Sequence, residues 1–131
     1  MARDVGLLLL RLTAGGIMVF VHGWGKLAGF ADKSASFPDP LGVGSAASLA
    51  LAVFAEVFCA LGLVTGTLTR LAVVPLVVTM LVAAGMVHAG DPWAKKELAL
   101  VYLTLFATLG LTGPGRFSVD HLVDKWRSGR R

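Results

Sequence analysis

The sequence predicts an all-α polytopic membrane protein, an antiparallel bundle of four transmembrane helices followed by a short C-terminal amphipathic helix at the interface. Of its 131 residues, 56% are hydrophobic and 15% are charged, whereas about 25% of the residues in an ordinary soluble domain are charged. Turn or loop residues separate four apolar stretches. Because a spanning helix needs about 20 residues, the length leaves no room for an additional soluble catalytic domain.

Composition excludes several classes of function. A single cysteine, Cys59, rules out an intramolecular disulfide and any four-cysteine metal or iron–sulfur site made by this chain alone. We expect Cys59 to be a small buried hydrophobic residue rather than a nucleophile. The net charge is +4 at pH 7, and in a chain this apolar the excess indicates contact with the lipid bilayer rather than with nucleic acid.

The chain is expected to form one domain, residues 1–131, whose four spans are predicted over residues 5–24, 44–65, 71–88 and 97–112. Arg11 interrupts the first stretch and no small-residue cleavage site follows, so we expect this stretch to be a retained helix rather than a signal peptide. Residues 66–69 form a tight hairpin, which makes the second and third helices antiparallel neighbours. Lys95 and Lys96 are expected to snorkel to the surface at the start of the short fourth helix.

The connection between the first two spans, residues 27–43, is the longest in the chain and contains Phe30 and Phe37. Long loops in compact membrane domains are often lids. We therefore expect it to cover a site at its end of the bundle.

The tail over residues 118–128 has the pattern of a short interfacial helix. Ser118 is a plausible N-cap, and apolar residues recur on one face of the predicted helix at Val119, Leu122, Val123 and Trp126. Charged residues occupy the rest of its surface, as is typical of a helix that lies on anionic lipid.

The distribution of basic residues predicts the orientation in the membrane. With a cytoplasmic N-terminus, seven basic residues lie inside, namely Arg3, Arg70, Arg116, Lys125, Arg127, Arg130 and Arg131. Four then lie outside, namely Lys26, Lys33, Lys95 and Lys96. Both termini are therefore predicted to be cytoplasmic.

Two charged residues within the apolar stretches, Arg11 and Glu56, require partners because a charge in hydrocarbon is costly. With a rise of about 1.5 Å per residue, Arg11 lies roughly 9 Å and Glu56 roughly 15 Å from the inner ends of their helices. A guanidinium can bridge that difference, so we expect a buried charge pair that anchors a polar ligand group or relays a proton. The alternatives are a pair that only sets helix register, or an Arg11 that snorkels inward alone.

Two helices carry polar stripes. In the first helix, Gly15, Met18, His22 and Lys26 all lie within roughly 60° of the direction of Arg11. We expect that stripe to face the bundle. In the fourth helix, Glu97, Thr104, Thr108 and Thr112 share a face, and the threonines are expected to form hydrogen bonds between helices.

The outer ends of the helices should bring together a polar cluster, namely His22, Lys26, His88, Lys95, Lys96 and Glu97. One interpretation is a pocket under the long loop, in which His22, Lys26, His88 and Glu97 bind an anionic or carbonyl head group such as that of a quinone. Solvated interfacial side chains are the alternative. The two histidines also permit a haem ligated by His22 and His88, and a metal site of His22, His88 and Glu97 is a further, less favoured option.

An ordered set of motifs resembles the DoxX family of small bacterial membrane proteins. It comprises Arg11, the run His22-Gly23-Trp24-Gly25-Lys26-Leu27, the buried Glu56, Glu97, and the run Gly113-Pro114-Gly115-Arg116-Phe117-Ser118-Val119-Asp120. The likeness covers nearly the whole chain. It implies a four-helix membrane bundle of the bacterial inner membrane, associated with quinone-linked respiration and with oxidative or thiol stress. We expect the last run to be structural, ending the fourth helix and starting the tail.

Three functions remain open on the sequence alone. The first is a quinone-interacting accessory subunit of a membrane oxidoreductase or oxidative-stress complex, with a membrane or peripheral redox protein as partner. The second is a purely structural membrane subunit, with a homo-oligomer as one possible form. The third is a proton or solute pathway through Arg11 and Glu56. We expect no intrinsic cofactor, although a quinone can be bound. The sequence does not decide whether the chain is itself an enzyme.

Overall fold

The computed structural model describes residues 1–129, and most of these residues are helical. The helices are α1 (Ala2–Ala28), α2 (Phe30–Lys33), α3 (Ser45–Thr65), α4 (Thr69–Val87), α5 (Trp93–Thr112) and α6 (Val119–Ser128). Helix α1 extends beyond the predicted span 5–24 at both ends, and the long loop contains the short α2. Arg130 and Arg131, which contribute to the predicted orientation, lie outside the described residues.

Three helices in the described part of the chain are long and apolar enough to cross a membrane, namely α1, α3 and α4. Helix α5 has 20 residues, but it carries Lys95, Lys96 and Glu97 near its start. Every 18-residue stretch of α5 contains these three charges, whereas α1, α3 and α4 each contain an apolar stretch of that length with at most two charged residues.

Each of the three most apolar helices contains a π-helical segment. These segments are Met18–Gly23 in α1, Phe54–Cys59 in α3 and Ala83–Val87 in α4. The first contains His22, the second contains Glu56, and His88 directly follows the third. Because π-helical turns are rare and recur at functional sites, they mark the region around these polar residues.

The stripe predicted on α1 faces the bundle. Arg11 and Met18 are buried, Gly15 lies against α3, and Lys26 is only partly exposed at the end of the helix. Cys59 is also buried and belongs to the apolar core. Periodicity in the sequence therefore identified the inward face of α1 correctly.

The predicted inward face of α5 is wrong. Thr104, Thr108 and Thr112 are exposed, and each hydroxyl donates a hydrogen bond to a carbonyl four residues earlier in the same helix, at 3.0, 2.8 and 2.8 Å. The inward face consists instead of Ala99, Tyr102, Phe106 and Leu109. Because a threonine can satisfy its hydroxyl on its own backbone, it does not need a partner on another helix.

A tight hairpin joins α3 to α4, as the sequence predicts. Gly66 adopts a left-handed conformation with φ of 71°, and its N–H donates to the Leu63 carbonyl at 3.2 Å. The Thr67 N–H donates to the Gly62 carbonyl at 2.8 Å. Together these bonds form a Schellman motif, in which glycine is favoured because of its positive φ.

The segment between α5 and α6 packs against this hairpin. The Ser118 hydroxyl accepts a hydrogen bond from the His121 N–H at 3.2 Å and so caps α6, as expected. The Asp120 carboxylate accepts from the Leu68 and Thr69 N–H groups, at 2.7 and 2.9 Å, at the start of α4. The run that ends in Asp120 therefore ties the tail helix to the α3–α4 hairpin, which supports its structural interpretation.

Candidate functional site

The central feature of the site is an ion pair between Lys26 Nζ near the end of α1 and Glu56 Oε2 in the π-helical segment of α3. The Glu56 side chain is 7% exposed and the Lys26 side chain is 24% exposed. The same Nζ donates a longer bond, of 3.4 Å, to the His22 carbonyl one turn earlier. A carboxylate that would be costly inside the membrane is thus neutralised by a cation from the neighbouring helix.

This arrangement corrects the predicted pair between Arg11 and Glu56. Arg11 is fully buried, and its guanidinium donates to the carbonyls of Leu63 at 3.4 Å, Val64 at 3.2 Å and Phe117. The carbonyls at the end of α3 lack partners within their own helix and carry the negative end of its dipole, so they accept the guanidinium. Glu56 lies nearer the other end of the bundle, where Lys26 reaches it.

Close approach of α1 and α3 positions the Lys26–Glu56 pair. A Cβ built on Gly23 would lie 2.8 Å from the Glu56 carbonyl oxygen and 2.7 Å from a Val57 methyl group. Only glycine therefore fits at this point of the α1–α3 contact without a shift of backbone or side chains. The absence of a side chain at Gly23 brings the two helices together beside the ion pair.

Aromatic residues extend the site from α1 to α5. The rings of His22 and Tyr102 meet edge to face, with 5.6 Å between their centroids, and Tyr102 stacks on Phe106 at 5.7 Å. Tyr102 is only 6% exposed. Tyr102 was not predicted to face inward, because the threonine face of α5 was expected there instead. The signal that could have identified it is its rarity, since it is the only tyrosine in the chain and a polar ring in an apolar helix.

Two side chains of the site, Tyr102 and His22, form no hydrogen bond among residues 1–129. Their polar atoms keep some exposed surface. Lys26 uses two of the three protons on its ammonium, one on Glu56 and one on the His22 carbonyl. These groups are therefore free to donate to an acceptor atom of a ligand.

The long loop packs over the α3 side of the site. Phe30 and Phe37 lie against an apolar cluster of α3 formed by Leu49, Val53 and Val57. Val57 also lies against Gly23 of α1, so this cluster reaches the α1–α3 contact. Phe30 and Phe37 therefore anchor the loop on the helix that carries Glu56.

Asp39 fixes the end of this loop to α3. Its carboxylate accepts from the Val43 and Gly44 N–H groups at 3.0 and 2.8 Å, and from the Ser48 hydroxyl at 2.8 Å. These hydrogen bonds, above all that from Ser48, lower the pKa of Asp39 below its usual value. The charged carboxylate ties the end of the loop to the start of α3 through these hydrogen bonds.

The other two residues of the predicted pocket, His88 and Glu97, are not bonded to the Lys26–Glu56 pair in the described chain. His88 Nδ1 bonds Asp91 Oδ2 at 2.7 Å, and Lys95 Nζ lies 3.8 Å from the same oxygen. The hydrogen bond with His88 is the main reason that the pKa of Asp91 is lowered. Glu97 is exposed. Across residues 1–129, no hydrogen bond or ion pair joins His88 or Glu97 to His22 or Lys26.

The sequence also permitted a haem or a metal ion near these histidines. In the part of the chain that the structure describes, no three His, Cys, Asp or Glu side chains are grouped so that they could hold a metal ion. His22 contacts Tyr102 and His88 contacts Asp91. The groups that lie near the Lys26–Glu56 pair are the hydrogen-bond donors of His22 and Tyr102.

Comparison with known proteins gives two matches. The model of the DoxX family matches residues 6–89. A curated protein of Escherichia coli (strain K12), named Inner membrane protein YqjF, is 30% identical over 127 residues, which cover 94% of this chain and 95% of that protein. No solved structure matches the chain significantly.

Proposed function

This chain belongs to the DoxX family of membrane proteins, and from that premise we propose that it is a quinone-interacting accessory subunit of an inner-membrane oxidoreductase or oxidative-stress complex. The observation that carries the proposal is the set of unpaired donors beside the Lys26–Glu56 ion pair. Tyr102 is the most buried of the residues that carry these donors, with 6% of its surface exposed.

The residues fit a quinone head group in three respects. A quinone carbonyl accepts hydrogen bonds, and Lys26, His22 and Tyr102 each offer a donor group. Phe30 and Phe37 supply apolar ring surface next to the α3 side of the site. Preorganised donors in a poorly hydrated site also stabilise negative charge on an oxygen.

A bound quinone would accept two electrons and two protons. In this proposal a partner redox protein supplies the electrons, and the chain supplies the binding site and proton-donating groups. Lys26 can donate a proton at Nζ, but this would leave the Glu56 carboxylate without its counter-charge, so Lys26 must be reprotonated as the proton leaves. His22, one turn before Lys26, is the nearest further group on α1 that can exchange a proton.

The experiment is extraction of quinone from the purified protein. Tyr102→Phe removes only a hydroxyl, and we expect it to lower quinone occupancy up to roughly tenfold, the range of a single hydrogen bond. His22→Ala and Lys26→Met should lower it as well. Thr108→Val is the matched control, because it removes a hydroxyl from the outward face of the same helix.

Equal quinone content in the wild type and in all three site variants, at matched thermal stability, would refute the proposal. The structural subunit would then be the better interpretation. A proton pathway through an Arg11–Glu56 pair has lost its geometric basis, since each of these residues has other partners.

We further propose that α5 is the fourth transmembrane helix, that α6 lies at the interface, and that both termini are cytoplasmic. Helix α5 packs along α4, and its 20 residues are long enough to cross a bilayer. Labelling with a membrane-impermeant thiol reagent in a Cys59→Ala background tests the orientation. Ser36→Cys should react in intact spheroplasts and Ser128→Cys only after lysis, and the reverse result would invert the topology.

A further inference from the structure

A cavity of about 1080 Å³ opens at the end of the bundle where α1 and α4 begin and α5 ends. Four arginines line it, namely Arg3, Arg70, Arg116 and Arg127. They come from α1, from α4, from the α5–α6 segment and from α6 respectively. We call this space the arginine cavity. It lies at the opposite end of α1 from the Lys26–Glu56 pair.

The guanidinium groups of the arginine cavity have almost no protein partners. Arg3 donates one long hydrogen bond, of 3.4 Å, to the Thr112 carbonyl. Among residues 1–129, the side chains of Arg70, Arg116 and Arg127 form neither a hydrogen bond nor an ion pair. Four cations from four parts of the fold thus share one cavity without counter-ions bonded to them.

Three carboxylates also line the cavity, namely Asp4, Asp120 and Asp124, so the four arginines exceed them by one charge. Asp120 accepts from the Leu68 and Thr69 N–H groups. Asp4 accepts from the Arg116 N–H at 3.0 Å, and its charge interacts with those of Arg3 and Arg116 without a hydrogen bond to either guanidinium. The fork of a guanidinium matches the oxygens of a phosphate well, so the cavity has the chemistry of an anion site with room for more than one phosphate oxygen.

The surroundings of the cavity favour a lipid as the source of that anion. Leu68 and Leu71, which line it, are 64% and 67% exposed, and Val119 and Val123 of α6, which also line it, are each 39% exposed. In a membrane these apolar side chains would contact acyl chains, while the arginines lie at the level of the head groups. Basic pockets between helices at this level are typical of anionic phospholipid binding.

We propose that the arginine cavity is a binding site for the phosphodiester head group of one anionic phospholipid, whose acyl chains lie along the apolar surface next to it. The site differs from general attraction of a basic surface to lipid, because it requires the particular arginines that line the cavity. Through them it joins α1, α4, α5 and α6 at one end of the bundle.

Native mass spectrometry of the full-length, delipidated protein tests this proposal, with phosphatidylglycerol as the probe. We expect one phosphatidylglycerol per chain, bound at least tenfold more tightly than phosphatidylcholine. Arg127→Gln should weaken binding roughly fivefold, the effect of one basic residue near a membrane surface, and Arg70→Gln with Arg116→Gln should weaken it further. Lys125→Gln is the matched control, because Lys125 lies on the same helix and carries the same charge but does not line the cavity.

Three results would overturn the proposal. Equal weakening by Arg127→Gln and Lys125→Gln would mean that only overall charge matters. Equal binding of phosphatidylcholine would remove the head-group specificity. Displacement of phosphatidylglycerol by an equal concentration of inorganic phosphate would assign the site to a free anion. If the double variant does not fold, the comparison of Arg127→Gln with Lys125→Gln still decides the question, since both side chains are exposed on α6.

Discussion

Lys26 at the end of α1 and Glu56 in the middle of α3 form an ion pair although 30 residues separate them in the chain. The pair lies where π-helical segments of the two helices pack against each other. It gives the candidate site both its charge and its connection between helices.

Loss of one partner of the pair should destabilise the protein more than loss of both. Lys26→Met leaves Glu56 buried without a cation, which costs about 3 to 5 kcal/mol in a dry site. The combined Lys26→Met and Glu56→Leu variant should cost clearly less than the sum of the single changes. Reversible unfolding in mixed micelles measures the free energies, and a coupling of zero would show that the two side chains do not interact.

Arg11 should act independently of Glu56. Arg11→Met removes the donors to three carbonyls, and we expect a loss of about 3 kcal/mol or more, since hydrogen bonds to charged groups contribute about 1.5 to 3 kcal/mol each. Its effect should add to that of Glu56→Gln within about 0.5 kcal/mol. Arg11→Lys is the control, because lysine keeps the positive charge but lacks the several N–H donors of the guanidinium. It should destabilise the protein less than Arg11→Met but more than no change. Strong coupling with Glu56 would contradict the geometry.

Gly23 should not tolerate a methyl group, whereas Gly16 should. In a helix, replacing glycine with alanine ordinarily stabilises by roughly 1 kcal/mol. A Cβ at Gly23 would lie 2.8 Å from the Glu56 carbonyl oxygen, while nothing lies within 4 Å of a Cβ at Gly16. Gly23→Ala should therefore lower the melting temperature and Gly16→Ala should keep or raise it. Similar melting temperatures for the two variants would mean that α1 and α3 are not in close contact at Gly23.

The hydrogen bonds of Asp39 that fix the long loop to α3 should weaken in acid. The pKa of Asp39 is lower in the folded protein than its ordinary value of 3.8. The stabilising contribution of the carboxylate is therefore complete above that ordinary value and is lost as the pH falls through the lower, folded value. Ser48→Ala removes the largest cause of the shift, so the loop should loosen at a higher pH than in the wild type.

Hydrogen–deuterium exchange of residues 30–44, corrected for intrinsic rates, measures this transition. Ser45→Ala is the control, because among the described residues the Ser45 hydroxyl forms no hydrogen bond. A transition at the same pH in Ser48→Ala and in the wild type would exclude Asp39 as the group that holds the loop.

The sequence by itself determined the membrane class, the family and the inward face of α1. Apolar runs and their length follow directly from the residues, because a bilayer imposes the same requirement on any helix that crosses it. The buried positions of Arg11, Met18 and Cys59 followed from spacing and hydrophobicity. The turn at Gly66 and the cap at Ser118 are local signals, so they too could be predicted.

Only the tertiary structure decided which polar groups meet. The partner of Glu56 depends on the position of α1 along the axis of α3. That position is set by the close contact at Gly23 and by the π-helical segments, and the sequence pattern reveals neither. The inward position of Tyr102 depends on the rotation of α5, which the threonine stripe does not set because each hydroxyl bonds its own helix backbone. The arginine cavity joins residues far apart in the chain. Sequence periodicity defines the faces of single helices, whereas contacts between helices set their registers and rotations.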